Sequence, residues 1–263
     1  MDKKAILDSI KKVREISKSK KFDQTFDISI NLVGLNVKKA DDKVDLFVQL
    51  PGGKGKEAKI CAFVGSELGT KAKIFNKVIL QEEFSLYKKD KKKLKKLARE
   101  FDFFVAQANL MAEVASIFGR VLGPLGKMPN PKSGCVVTPI ADLDPLKKKL
   151  DDTVHLETKN QIVVKAVAGL ESMKDESVTD NILSVYNSVM HSLPQEKNNI
   201  KSMFLKLTMG PSVEVTANGP VIHEKKKKKV VEEEKVVKKK PVKKEKVAKA
   251  EEEKVVKVED KNE

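Results

Sequence analysis

The chain of 263 residues has no tryptophan, two tyrosines, two cysteines and three histidines, and only three of its 53 basic residues, Arg14, Arg99 and Arg120, are arginine. Each shortage closes a route. Without Trp and with little Tyr there is no broad aromatic platform for stacking single-stranded bases. Cys61 and Cys135 sit in apolar surroundings and read as small buried thiols, because a metal site needs more ligands at close spacing. None of His155, His191 and His223 has a motif-like partner. No catalytic residue, metal site or cofactor is therefore expected. No apolar run approaches the ~20 residues of a membrane span. The opening MDKKAILDSIKK alternates charge and lacks the apolar core of a signal peptide. The expectation is a reduced, cytoplasmic protein with no membrane partner. Scarce arginine has its own meaning: lysine attracts phosphate diffusely, whereas arginine forks onto base edges.

What the chain does have is positive charge. It carries 53 basic and 38 acidic residues, net +15, which points to a polyanion such as nucleic acid. Residues 224–263 hold 16 lysines and 11 acids, +5 of that total, which leaves +10 on residues 1–223. The tail has no aromatic residue and no glycine, so it cannot bury enough surface to fold alone. It reads as a disordered extension, or as an electrostatic arm that adds affinity without specificity.

Periodicity divides the rest. Ile6, Leu7, Ile10, Val13 and Ile16 recur at helical spacing over residues 3–18, with Asp2 placed to cap the start. Phe26, Ile28, Ile30 and Leu32 then alternate with Asp27, Ser29 and Asn31, and Val44 to Leu50 repeat the pattern. The turn PGGKGK leads into an apolar strand over residues 58–64. From Gly65 helices and strands alternate: strands at 77–80 and 101–107, helices at 90–100, 109–118 and 144–151, the last with Pro145 at its start. This middle reads as a three-layer, Rossmann-like α/β module. Strands at 154–157 and 162–167 read as a hairpin, followed by a helix through Val178 and Leu193 and strands at 200–208 and 213–216. A β-rich unit made of both chain ends, residues 1–65 plus 154–223, thus flanks an inserted unit, residues 66–153.

Two features suggest function. The stretch RVLGPLGKMPNPKSG, residues 120–134, holds three glycines, three prolines and three cations, Arg120, Lys127 and Lys132, without an acid. Proline excludes helix and disfavours strand, so it reads as a rigid positive loop. It is not a nucleotide-binding P-loop, which needs glycine at Val121 and Ser or Thr at Met128. The second feature is strand 200–208. Lys201, Met203, Leu205 and Leu207 take one face; Ser202, Lys206 and Thr208 take the other, interrupted by Phe204. Hydroxyls there can reach RNA 2′-hydroxyls, Lys206 can hold a phosphate, and Asp27 can accept from a 2′-hydroxyl or a guanine edge. The same pattern fits an ordinary solvated sheet face. In Thr208-Met-Gly-Pro211, Gly210 would let the backbone approach a ligand.

Together RVLGPLGKMPNP, KLTMGPSVEV and KFDQTFDISINL, in this order from the middle, the end and the start, resemble the large-subunit ribosomal protein L-one family, in its archaeal branch. The resemblance implies a split β-α-β RNA-binding domain made of both ends and an inserted Rossmann-like domain. It implies a structural protein, not an enzyme, bound as a monomer to the mobile rRNA stalk of the large ribosomal subunit. It further implies help in releasing deacylated tRNA from the exit site and repression of the chain's own mRNA. By motif it places RNA contacts at Phe22, Asp27, Ser202, Thr208, Met209 and Gly210, with Lys159 in the hairpin turn; Lys206 joins them from the strand alternation alone. Arg120, Lys127 and Lys132 become secondary contacts, although Leu125 stands where the family commonly has arginine. The competing reading is non-specific compaction of nucleic acid through the basic tail.

Overall fold

A computed structural model describes residues 2–36, 39, 42–140, 142–216 and 219–222; the tail read at 224–263 lies outside the described residues. Two sheets and a two-stranded ribbon organise these residues.

The first sheet is antiparallel and has the order β11-β10-β9-β1-β8. Its strands are β1 (Thr25–Leu32), β8 (Val163–Leu170), β9 (Ile200–Leu207), β10 (Val213–Thr216) and β11 (Gly219–Ile222). Both chain ends therefore build one sheet, with β1 between β8 and β9. Along β1 burial alternates strictly, and Phe26, Ile28, Ile30 and Leu32 are buried. Burying these four side chains contributes roughly 1.5–3 kcal/mol each. They join one apolar cluster with Ile6, Ile10 and Val13 of α1 (Lys3–Ile16) and Val178, Ile182, Val185 and Val189 of α6 (Asp175–Ser192). One face of the sheet is thus covered by two helices.

Arg14 ties those helices together. Its Nε donates to Asp175 Oδ1 at 2.9 Å, and Nη1 and Nη2 donate to the carbonyls of Glu171 (2.7 Å) and Met173 (3.0 Å). The guanidinium lies 5.2 Å from the centre of the Phe26 ring. Asp2 stands at the start of α1 but makes no side-chain cap bond.

The second sheet is parallel, in the order β4-β3-β5-β6: β3 (Ile60–Val64), β4 (Lys77–Leu80), β5 (Phe103–Gln107) and β6 (Val136–Val137). Every residue of β3 is buried, as the unbroken apolar run requires of a strand covered on both sides. Cys61 and Phe63 point into a cluster with α2 (Phe84–Lys89), α3 (Lys91–Glu100) and α4 (Met111–Leu122). Ile60, Ala62 and Val64 point into another, with Leu68, Phe75 and Leu150 of α5 (Asp144–Asp151). Both cysteines are buried and free; burial pushes the Cys61 thiol up to about 12 and the Cys135 thiol upward as well. One apolar cluster thus lies on each side of the parallel sheet.

The ribbon pairs β2 (Asp45–Gln49) with β7 (Thr153–Glu157), and here the structure corrects the sequence. Residues 154–167 were expected to form a hairpin. Among the described residues β7 pairs only with β2, whereas β8 pairs with β1. The cause is visible at Thr158, which is buried and exchanges bonds with Val44: each backbone N–H reaches the other residue, one to a carbonyl and one to the Thr158 hydroxyl, both at 3.0 Å. The chain is held against β2 there before it can fold back on itself. At Ile162, whose carbonyl accepts from Leu32 N–H at 3.0 Å, it enters the large sheet. β3 pairs wholly within the parallel sheet, so the chain passes from the ribbon to that sheet between Gln49 and Ile60.

The loop at 120–134 is also shorter than expected. Arg120 still belongs to α4, which runs to Leu122. Beyond it Gly126 takes φ +68°, and Pro131–Ser133 form a single 3-10 turn capped by Asn130 Oδ1 on Lys132 N–H (3.0 Å).

Candidate nucleic-acid interface

The face of the large sheet opposite the helices carries the out-of-phase side chains. Register sets them in rows. Asp27 lies between Lys206 and Val167, Ser29 between Phe204 and Lys165, and Asn31 between Ser202 and Val163. Glu214 continues the middle row beyond Phe204. Facing residues of antiparallel strands share a side, so these form one surface. Asn31 Nδ2 donates to Ser202 Oγ at 3.0 Å, and Lys206 Nζ lies 4.0 Å from Asp27 Oδ2. Burial raises the Asp27 carboxyl above its ordinary value; Lys206 and the Thr25 hydroxyl oppose the shift.

At one end of this face three segments meet. Thr25 and Thr208 bond through their hydroxyls (2.8 Å), Thr25 N–H donates to Thr208 Oγ1 (3.1 Å), and Thr208 N–H donates to the Thr25 carbonyl (3.1 Å). Two large apolar side chains stand out beside them: Phe22 is 52 % exposed and Met209 64 % exposed. Under this end lies Gln24, 1 % exposed. Its Oε1 accepts from Met209 N–H at 3.2 Å, and its Nε2 donates to Glu171 Oε2 at 3.2 Å. Asp23 fastens the same segment by accepting from the N–H (3.2 Å) and hydroxyl (2.6 Å) of Ser172. The exposed Met209 is therefore carried on a turn whose backbone is anchored from below.

Of the residues singled out in the sequence, Phe22, Asp27, Ser202, Lys206, Thr208, Met209 and Gly210 lie on this face or at its end. Packing also requires glycine at position 210. A Cβ there would collide with the Ser17 side chain at the end of α1, so the missing side chain lets the turn pack inward. Lys159 is not brought to the face: it follows β7, 3.3 Å from Glu157 Oε2. It lines a cleft of about 620 Å³ together with Leu125, Lys127 and His155. His155 is stacked on Phe47 at 4.4 Å and lies 2.7 Å from Asp45 Oδ1.

Arg120, Lys127 and Lys132 lie apart, beside the parallel sheet. Arg120 and Lys132 are exposed. The Lys127 ammonium donates to the carbonyls of Ala98 (3.1 Å) and Phe101 (2.6 Å) at the end of α3. Burial lowers its pKa, with Asp102 opposing. It closes a helix end from within the cleft it lines.

Sequence reasoning missed Gln24. The signal was present, since Gln24 falls in phase with Phe26 and Ile28 on the buried face, and a polar residue in a core phase must find partners. Lys165, exposed opposite Ser29, is not placed on this face by the sequence, because the expected hairpin sets its strand beside residues 154–157 and not beside β1. Among the described residues no group of three or more His, Cys, Asp or Glu could hold a metal ion, and no helix is long and apolar enough to cross a membrane.

Comparison with known proteins agrees with the motifs. The family described as ribosomal protein L1p/L10e matches residues 12–211. The large ribosomal subunit protein uL1 of Methanothermobacter thermautotrophicus is 39% identical over 212 residues, 80% of this chain and 98% of that protein. Its namesake in Nanoarchaeum equitans is 40% identical over 213 residues, 80% of this chain and 98% of that protein. That of Methanocaldococcus jannaschii is 38% identical over 216, covering 82% and 96%. These relatives are ribosomal proteins and not enzymes. Matched over most of its length, and aligned with nearly the whole of each relative, the chain belongs to the ribosomal protein L1p/L10e family.

Proposed function

We propose that this chain is a component of the large ribosomal subunit, in the cytoplasm, and that it grips a folded rRNA stalk with the open face of its antiparallel sheet. The observation that carries the reading is the end of that face. The paired hydroxyls of Thr25 and Thr208 lie between exposed Phe22 and Met209, on backbone anchored by Gln24. Hydroxyls and backbone groups suit 2′-hydroxyls and phosphates, and apolar tips suit sugar and base faces. Lys206 and Lys165 supply phosphate attraction, Ser202 and Asn31 further hydrogen bonds. Because the groups are fixed to a sheet, the recognition is of RNA shape. Phe204, in the middle row, is a candidate stacking contact. In this reading the antiparallel sheet with its two helices is one RNA-binding domain and the parallel sheet with its helices is an inserted domain, joined through the β2–β7 ribbon.

Two finer activities rest on the family resemblance: assistance in releasing deacylated tRNA from the exit site, and binding to the chain's own mRNA where that mRNA mimics the stalk.

The test is binding of the full chain to a stalk-derived RNA and to a scrambled hairpin of equal length across a salt series. The stalk RNA is expected to bind tighter at every salt, and Thr208→Val or Met209→Ala to narrow the gap at least tenfold with little change in salt slope. Equal, steeply salt-dependent binding to both RNAs would instead favour non-specific attraction through the basic tail.

A further inference from the structure

Helix α3 has the sequence KKKLKKLARE. Its placement in the fold is explained by Leu94, Leu97 and Ala98, which are buried against the helical side of the parallel sheet. Its charge is not. Lys91, Lys92, Lys93, Lys95, Lys96 and Arg99 are all exposed. Among the described residues only Lys93 comes within ion-pair distance of a carboxylate, Asp90 at 3.5 Å.

This arrangement works against the helix that carries it. The first turn contains no acid and holds three lysines at the positive end of the helix dipole, where cations are unfavourable. Only Asp90 offsets them, accepting from Lys92 N–H (3.1 Å) and Lys93 N–H (3.4 Å). Lys91–Lys95, Lys92–Lys96 and Lys95–Arg99 are like-charge pairs four residues apart, each mildly destabilising. A neutral helix former would serve the fold better in the first turn and at Lys95, while Arg99 in the last turn is favourably placed on the dipole. Local rules broken together without a packing gain mark a functional surface. Lys92, Lys95, Lys96 and Arg99 follow the spacing i, i+3, i+4, i+7 and line one shallow depression, with Glu100 as its single acid. They form a strip about 10 Å long, on a different sheet layer from the Thr25–Thr208 face.

We propose that the Lys92–Lys95–Lys96–Arg99 face of α3 is a second RNA-docking surface that binds the phosphate backbone without reading sequence. Its partner is a double-helical segment of RNA. Lysine-rich, with one arginine and no aromatic residue, the strip has the chemistry of backbone neutralisation and lacks that of base recognition. It contributes affinity and orientation, while specificity stays with the sheet face.

The test uses the full chain and a variant carrying Lys92→Gln, Lys95→Gln, Lys96→Gln and Arg99→Gln. The probes are a GC-rich RNA duplex of 20 base pairs without loops and the stalk-derived RNA. Four lost phosphate contacts should flatten the plot of log affinity against log salt by about 3 for both RNAs. Affinity for both RNAs at low salt should fall more than tenfold, and the preference for stalk RNA should hold. The melting temperature should hold or climb by about 1–4 °C, since the substitutions relieve repulsion. The paired variants Lys92→Gln/Lys96→Gln and Lys95→Gln/Arg99→Gln should each show about half the change in slope. The tail is present in every protein, so it cancels from the comparison. An unchanged slope for both RNAs, or an unchanged affinity for the plain duplex, overturns the proposal. Thr208→Val separates the two surfaces. It should alter the preference between stalk and scrambled RNA and leave the slope alone, so either surface can fail while the other stands.

Discussion

Replacing Gln24 with methionine tests whether the exposed turn at 208–210 is held from within the core. The side chain is nearly isosteric and apolar, so packing volume is kept and only hydrogen bonds are lost. Three are at stake: Nε2 to the Glu171 carboxylate and Met209 N–H to Oε1, both 3.2 Å, and a longer one from Nε2 to the Lys18 carbonyl at 3.5 Å. A bond to a charged group contributes about 1.5–3 kcal/mol and a neutral one about 0.5–1.5 kcal/mol. Some of this returns through burial of the methionine, leaving an expected loss of about 2–3 kcal/mol. For a chain of this size that is a fall of roughly 4–12 °C in melting temperature, measurable by urea denaturation and by calorimetry. Affinity for stalk RNA should drop together with stability, because Met209 and Thr208 lose their anchor, while salt dependence stays the same. Gln24→Glu is the sharper companion. It keeps the acceptor for Met209 but sets a second carboxylate beside Glu171, so it should be worse than Gln24→Met at pH 7 and recover as the pH falls toward 4. A loss under about 0.5 kcal/mol for Gln24→Met, with unaltered RNA affinity, would refute the anchoring role.

Three further outcomes are expected. Gly210→Ala should cost about 1–3 kcal/mol through its collision with Ser17; Ser17→Ala should recover part of that and be neutral or stabilising alone, because Ser17 Oγ is buried with no hydrogen-bond partner among the described residues. Lys127→Met should lower stability by about 1–2 kcal/mol by uncapping Ala98 and Phe101, yet leave the salt slope for RNA unchanged; a slope reduced by about 1 would return Lys127 to the RNA contacts. The folded-state carboxyl of Asp27 is raised above 3.8, chiefly by burial, so its contribution is present at low pH and lost as pH rises through the folded value. Denaturation of wild type and Asp27→Asn should therefore show wild type gaining relative stability between pH 7 and pH 4, and a constant difference would contradict the raised value.

Much of the fold was legible because the patterns that specify it are local. The alternation Phe26, Ile28, Ile30, Leu32 fixes which face of β1 is buried whatever strand lies beside it, and the same alternation exposed Asp27, Ser202, Lys206 and Thr208 as a set. The unbroken apolar run of β3 required cover on both sides, and it received it from two clusters. Even Gln24 could be found, by asking why a polar residue shares the phase of a core.

Tertiary structure decided what depends on neighbours distant in sequence. A period of two does not name a partner strand, so β7 could be read as half of a hairpin until Thr158 was seen bonded to Val44. A lysine in a positive loop looks the same in sequence whether its four-carbon stem turns outward or in. Lys127 turned in because two carbonyls at the end of α3 lacked donors. The packing demand for glycine at 210 comes from Ser17, 193 residues away. By itself the sequence determined element type, buried face and family, since periodicity and motif are properties of adjacent residues. Strand partners, the direction of long side chains and the assembly of Thr25, Thr208 and Gln24 into one anchored edge came only with the packed chain, where nonlocal hydrogen bonds select among locally equivalent choices.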